Sequence, residues 1–266
     1  MTSSSATRPL AVVTGASAGL GREFARQRAA RGYDLLLVAR DGARLRTLAE
    51  ELATRHGIAA EPWAADLATE AGVTPLVDRL ADDPRVALVI NNAGFGTKGR
   101  LMTRPEAEQR AMLELHVMAP MRLARAVLPG MVARKRGTII NVASVASFTA
   151  SPGNVNYCAT KAYERVMCEA LAMELEGTGV AVQALCPGFT HTEFHDRANI
   201  DKSVGIPAWA WMDAERVVRE SLEAAHAGGP VVVIPGKRYQ AIVLMLRYLP
   251  WWARRALQQR YGKART

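Results

Sequence analysis

Short apolar runs alternate along the chain with longer stretches of helical period. Leu10–Thr14, Asp34–Ala39, Ile58–Ala64, Ala87–Asn91, Thr138–Val142, Val180–Cys186 and Val231–Ile234 read as strands. Most are continuous rather than alternating, which suits strands buried on both faces of a parallel sheet. Between them the spacing predicts helices over about 19–31, 42–56, 68–82, 103–128, 156–176 and 213–228. Thr103, with Pro105 and Glu106, forms a capping-box pattern, and Asp213 with Glu215 marks another helix start. This repetition predicts one α/β domain, a doubly wound parallel sheet of about seven strands with helices on both faces. The long aromatic segment Gly188–Trp211, between the sixth strand and the next helix, is a candidate lid.

Composition narrows the class. The 266 residues are 49% hydrophobic, which excludes a disordered chain. Cys158, Cys168 and Cys186 are too few for a disulfide framework and lack zinc-site spacing. No signal-peptide core precedes the first strand, and the apolar run Ala241–Leu246 stops at Arg247, far short of the about 20 residues a bilayer span needs. The expectation is a cytoplasmic protein with reduced thiols.

The first strand runs into Thr14-Gly-Ala-Ser-Ala-Gly-Leu-Gly21, where a helix begins. Gly15, Gly19 and Gly21, with Ser17, Ala18 and Leu20 between them, suit a tight turn that brings backbone N–H groups to a pyrophosphate. The three-residue gap between Gly15 and Gly19 differs from the plain G-x-G-x-x-G order. The second strand ends Val38-Ala39-Arg40, with no acid to bind a ribose 2′-hydroxyl. The guanidinium of Arg40 suits a 2′-phosphate instead, so the pattern favours NADP over NAD.

Tyr157 and Lys161 stand four apart at the start of a helix and share a face. A neighbouring ammonium favours the phenolate over the free phenol of pKa ~10, so such a Tyr exchanges protons near neutral pH. Ser144 follows the fifth strand, Asn91-Asn92-Ala93-Gly94 closes the fourth, and Pro187-Gly188 follows the sixth, with Thr190 and Thr192 just beyond.

With these five elements in order, the chain resembles the short-chain dehydrogenase/reductase family from about Leu10 to Ile234. The resemblance implies a Rossmann-like fold, an NADP(H) cofactor and reversible hydride transfer between a carbonyl or alcohol and a nicotinamide. It implies Tyr157 as acid/base and Ser144 as the group orienting the substrate oxygen. Lys161 would hold the nicotinamide ribose. It also implies Asp66 and Leu67 near the adenine, Asn92, Ala93 and Gly94 along the adenosine ribose, and Thr190 at the carboxamide. Asp66 suits equally an N-cap for the helix that follows. His116 stands where the family usually has an Asn in a proton relay. Three roles compete for that position: a backbone carbonyl any residue supplies, a titrating shuttle, or an impairment of catalysis. For His191 and His195 in the lid, substrate contact or a metal site with Glu193 competes with solvated or cofactor-edge histidines, and the last is favoured because hydride transfer needs no metal. The lid aromatics Phe189, Phe194, Trp209 and Trp211 suggest a hydrophobic substrate, a lipid-like or steroid-like ketone. The competing readings are a non-catalytic NADP-binding or scaffold protein of the same fold, and a membrane-peripheral reductase of lipid-type or steroid-type ketones.

The formal charge of +9 is concentrated at one end. Residues 1–236 carry 26 basic and 25 acidic groups and read as the catalytic domain. Residues 237–266 carry eight basic groups and no acid, interleaved with Tyr239, Tyr248, Trp251, Trp252 and Tyr261. They read as a helical extension: an apolar helix over Tyr239–Leu249, then one starting at Pro250. In that second helix Trp252, Ala253, Ala256, Leu257 and Tyr261 lie opposite Arg254, Arg255 and Gln258. Such a segment fits a membrane interface through 238–261, the mouth of the substrate cleft or a neighbouring subunit. The resemblance also implies a homodimer or homotetramer built on the fourth and fifth helices and a small-molecule carbonyl or alcohol as substrate. Nucleic acid is not expected, since nothing else resembles a nucleic-acid module.

Overall fold

The computed structural model describes residues 7–193 and 207–262, with side chains up to Gln259. The expectations on Phe194, His195, Lys263, Arg265 and the middle of the lid lie outside the described residues, as do those on the side chains of Arg260 and Tyr261. Seven strands form one all-parallel sheet in the order β3-β2-β1-β4-β5-β6-β7. They are β1 (Leu10–Thr14), β2 (Asp34–Ala39), β3 (Ala60–Ala64), β4 (Val86–Asn91), β5 (Gly137–Val142), β6 (Val180–Leu185) and β7 (Val232–Val233). The fold is the expected doubly wound, Rossmann-like α/β sheet with C-terminal helices.

Successive strand residues point to opposite faces, and both faces are covered. On one side Val13, Leu35, Leu37 and Ile90 meet α1 (Gly19–Ala29), α2 (Gly42–His56) and α7 (Ala214–His226) through Phe24, Leu45, Leu52 and Val218. On the other, Val12, Leu36, Val38 and Val89 meet α3 (Glu70–Ala81) and α5 (Ala119–Ala133) through Leu76, Leu80, Leu123 and Val127. Helix α6 (Val155–Glu174) covers β6 on this second layer with Cys168 against Val182 and Ala184. Full burial of β1 explains its unbroken apolar run. Strand β3 is the exception: it is largely exposed and contains Pro62, which is tolerated because β3 is an edge paired only to β2.

The predicted helix over 103–128 is broken. A 3-10 turn (Leu101–Thr103) precedes α4 (Glu106–Leu113), and a π turn at Glu114–Met118 links α4 to α5. The capping box does not form. Thr103 Oγ1 donates to Arg100 O at 3.0 Å, and Pro105 occupies the N-cap of α4. Asp213 stands at the N-cap of α7 in extended conformation, but its side chain makes no capping bond. Asp41 does cap α2, accepting from Arg44 N at 3.0 Å.

After β7 come α8 (Lys237–Tyr248) and α9 (Trp251–Gly262). Helix α8 buries Tyr239, Val243 and Leu246 against the domain. Helix α9 departs from its predicted stripe. Ala253, Arg254, Leu257 and Gln258 form its half-buried strip, leaving Trp252 and Ala256 exposed. No described helix is long and apolar enough to cross a membrane.

Candidate active site

The chain builds outward from β1 through β2 to β3, then restarts at β4 and builds the other way. Between the carboxyl ends of β1 and β4 a cleft must open, the usual ligand position in such sheets. Thr14 joins those ends. Its hydroxyl accepts from Asn92 N at 2.9 Å and Ala93 N at 3.0 Å and donates to Ile90 O at 3.3 Å. Asn92 Nδ2 donates back to Thr14 O at 2.9 Å and to Gly15 O at 3.3 Å.

This knot leaves no room for side chains in the turn. A Cβ on Gly21 would sit 2.2 Å from Gly15 O, and one on Gly15, where φ is +67°, would sit 2.7 Å from Asn92 Nδ2. Ser17, Ala18, Gly19 and Leu20 form a half-buried rim. Thr192 lies over Gly19, 3.1 Å from the place of its Cβ. The N-terminus of α1 has Ala18 at its N-cap, no side-chain cap and no acid in its first turn. Helices α2 and α3 are both capped by side chains, from Asp41 and Thr69. The free N–H groups and partial positive charge of α1, beside a glycine cradle, fit a dinucleotide pyrophosphate.

Arg40 is exposed at the end of β2. Arg44, one turn into α2, bonds Glu193 at 2.8 Å and lies 3.4 Å from Asp41, bringing the start of the lid over this edge. Asp66 is not the helix cap. Its Oδ1 accepts from Ala68 N at 3.1 Å and closes a turn, while Thr69 caps α3 through Gly72 N at 3.1 Å. Leu67 is buried in the core beneath α3.

Tyr157 and Lys161 lie one turn apart on α6, whose N-cap is Asn154. Tyr157 is half-buried, and Lys161 is 5% exposed. Lys161 Nζ donates to Val142 O at 2.7 Å and reaches both oxygens of Glu164 at 2.9 Å. Burial pushes the Glu164 carboxyl up to about 7, with Lys161 opposing that rise.

His116 is fully buried in the π turn, a common place for such a turn to aim a side chain. Its Nε2 accepts from Phe95 N at 3.1 Å, so the ring proton sits on Nδ1, which faces Thr160 Oγ1 at 3.0 Å. Thr160 Oγ1 donates in turn to Tyr157 O at 3.1 Å. Burial, and then the charge of Lys161, hold the His116 pKa well below its ordinary value, so the ring is neutral. Gly94 makes room for it: a Cβ there would lie 2.9 Å from Nε2. The ring meets Tyr157 edge-on, centroids 6.1 Å apart.

Ser144 is half-buried just past β5. Its Oγ accepts from Ala146 N at 3.1 Å, and its hydrogen has no acceptor among the described residues. Next to it, Val145 N donates to Pro187 O at 3.0 Å, tying the ends of β5 and β6. Gly188 lies flat on Tyr239 of α8; a Cβ there would fall 2.0 Å from the ring. The Tyr239 hydroxyl donates to Ala210 O at 2.6 Å and accepts from Phe189 N at 3.0 Å. It thus clasps both described flanks of the lid segment. Thr190 is buried and bridges to Met212, and its Oγ1 donates to Gly188 O at 3.1 Å. Trp211 stacks on His191 with centroids 4.9 Å apart and tilts against Phe189 at 5.6 Å.

The residues from five sequence motifs therefore converge on the carboxyl edge of the sheet. Glu164, Thr160, Tyr239 and the latch role of Thr14 were not anticipated. Only Glu164 left a signal, being three residues beyond Lys161 on the same helix face. Among the described residues no cluster of His, Cys, Asp and Glu could hold a metal ion.

A sequence model described as short chain dehydrogenase matches residues 9–203. A short chain dehydrogenase of Pseudocercospora fijiensis is 38% identical over 186 residues, 69% of this chain and 60% of that protein. A very-long-chain 3-oxoacyl-CoA reductase of Coprinopsis cinerea is 37% identical over 177 residues, 65% of this chain and 52% of that protein. The chain thus spans little more than half the length of these curated relatives. Among solved structures, a short-chain dehydrogenase from Sphingobium yanoikuyae in complex with NADPH superposes with a TM-score of 0.82 at 33% identity, covering 91% of this chain and 97% of that one.

The Tyr239 clasp generates a first expectation. Tyr239→Phe removes the hydroxyl that accepts from Phe189 N and donates to Ala210 O, and should cost about 1–3 kcal/mol. Hydrogen exchange at Phe189 should accelerate while exchange in β1 and β4 stays slow. Unchanged protection at Phe189 would show that the clasp carries no weight.

Proposed function

This chain belongs to the short-chain dehydrogenase/reductase family, and from that premise we propose that it is an NADP-dependent oxidoreductase of a hydrophobic ketone or secondary alcohol. The observation that carries the reading is that Tyr157 and Lys161, one turn apart on α6, Ser144, just past β5, and the uncapped N-terminus of α1, just past β1, all stand at the carboxyl edge of one parallel sheet. The turn from Gly15 to Gly21 would hold the pyrophosphate. Lys161 would hold the nicotinamide ribose, and Thr190 with Pro187 and Gly188 would lie along the carboxamide. Asp66, Asn92, Ala93 and Gly94 would line the adenosine side. When bound, the nicotinamide supplies or accepts the hydride.

Tyr157 donates the proton to the substrate oxygen during reduction and removes it during oxidation. Ser144 aims its free hydroxyl hydrogen at the same oxygen, where negative charge develops. Lys161 favours the phenolate of Tyr157. His116, neutral and bonded on both nitrogens, acts as a fixed strut between the Asn92–Phe95 loop and α6 rather than as a titrating shuttle. Arg40, exposed where an NAD-specific site would carry an acid, supports preference for NADP, in line with the NADPH in the Sphingobium relative. The aromatics Phe189, Trp209 and Trp211 around the lid support an apolar substrate, as does the acyl-CoA chemistry named for the Coprinopsis relative. Exposed Leu113 and Met118 near α4 and Val155, Tyr163 and Val166 on α6 support a homodimer or homotetramer.

A second reading concerns the extension 237–266. Tyr248, Trp251 and Trp252 are 82%, 65% and 71% exposed, next to exposed Leu244 and Met245, in a segment with eight bases and no acid. Basic residues between exposed aromatics suit an anionic membrane surface, so the enzyme would act as a peripheral membrane protein.

Two experiments test these readings. NADPH and NADH oxidation over a panel of aliphatic, steroid-like and acyl ketones should show turnover, faster with NADPH. Tyr157→Phe should lower it by about 10²–10⁴-fold. Wild-type turnover no higher than that of Tyr157→Phe on every substrate would overturn the enzyme reading in favour of a scaffold. In co-sedimentation with phosphatidylserine-containing vesicles, the wild type should pellet and the Trp251→Ala/Trp252→Ala variant should not. Equal sedimentation of the two would remove the membrane reading.

A further inference from the structure

The proposed mechanism uses the charge of Lys161 but leaves its nearest charged neighbour unexplained. Glu164 is 2% exposed, and both its oxygens lie 2.9 Å from Lys161 Nζ. With Val142 O at 2.7 Å, three buried protein acceptors surround the ammonium. Among the described residues, the carboxylate has no other hydrogen-bond partner. A carboxylate is costly to bury, and this one serves no helix cap and ties no second element to α6.

The other charged or titratable groups around the pair do not replace it. Cys168 on α6 and Cys186 at the end of β6 are buried thiols pushed up by burial, Cys186 to about 11. Arg165 is turned to Glu169 at 2.7 Å and to the Phe148 ring at 4.8 Å. His116, from the π turn, is neutral. Tyr157 stands one turn before Lys161. Among the described residues, the acid paired with the Lys161 ammonium is Glu164, buried on the same helix.

We propose that Glu164 is a positioning residue that sets the effective charge of Lys161, and through it the acidity of Tyr157. The carboxylate partly cancels the ammonium field at the phenol. It also holds Nζ against the end of β5 until competing hydroxyl acceptors, such as those of a bound ribose, draw it away. The proposal rests on the reading of Tyr157 as acid/base.

Ultraviolet difference titration of the ligand-free protein, wild type against Tyr157→Phe, isolates the Tyr157 phenolate without any turnover. The same difference measured in a Glu164→Gln background should have its midpoint about one pH unit lower, because the unopposed ammonium favours the phenolate. Glu164→Asp keeps the charge but withdraws it by one methylene, and its midpoint should fall between the two. Coincident midpoints in all three proteins, or a rise in Glu164→Gln, would overturn the proposal. If Glu164→Gln does not fold, Glu164→Asp decides alone, and an unshifted midpoint overturns it. A wild-type midpoint near the ordinary ~10 with a lower one in Glu164→Gln upholds Glu164 and counts instead against Tyr157 as a tuned acid/base.

Discussion

The hydroxyl of Thr14 ties the ends of β1 and β4 together at the point where the strand order of the sheet reverses. The connections after β1 and β4 leave toward opposite faces of the sheet, so beyond the last ladder pair, Val13 beside Ile90, the two loops part and their backbone N–H groups have no ladder partner. One side chain satisfies two of those N–H groups, Asn92 and Ala93, while Asn92 returns bonds to the β1 end. The distance between the two loops is thereby set by hydrogen bonds rather than by side-chain bulk. That is why Gly15 and Gly21 must be glycine, and why the N-terminus of α1 points into an open cradle.

From that cleft the site extends along the carboxyl edge by similar local ties. His116 joins the loop after β4 to α6 through Phe95 and Thr160. Val145 and Pro187 join β5 to β6, and Tyr239 joins α8 to both described flanks of the lid segment. In each tie a backbone N–H donates to an acceptor from a distant segment. Tyr157, Lys161 and Ser144, the groups proposed to react, are thus held by elements fixed to one another, which is what orientation-dependent proton transfer requires.

The fold was legible because the strands are buried on both faces, so that unbroken apolar runs mark them directly. Helix interiors were legible too, but their interruptions were not. The π turn at Glu114–Met118 has no glycine or proline to announce it, and it carries His116, whose ring accepts from Phe95 N. Thr103 carried a convincing capping pattern, yet its hydroxyl is spent on Arg100. Motif residues of the candidate site were legible from spacing, since Tyr157 and Lys161 share one helix face. Contacts between distant segments were not: Tyr239 meets Phe189 across 50 residues, and no local period encodes that meeting. The basic extension shows the same limit. Its charge and two helices could be read, but the inward turn of Tyr239 on α8 and the exposure of Trp252 on α9 depend on the surface beneath them.

If the Thr14 knot shapes the cleft between the ends of β1 and β4, the NADPH affinity of Thr14→Val should fall. Valine keeps the size and β-branching but leaves the Asn92 and Ala93 N–H groups without an acceptor. Isothermal titration should show NADPH binding weakened by at least about tenfold, equivalent to about 1.4 kcal/mol, with the far-ultraviolet circular dichroism of the wild type retained. Wild-type affinity in a folded Thr14→Val protein would mean that the knot does not shape the cleft.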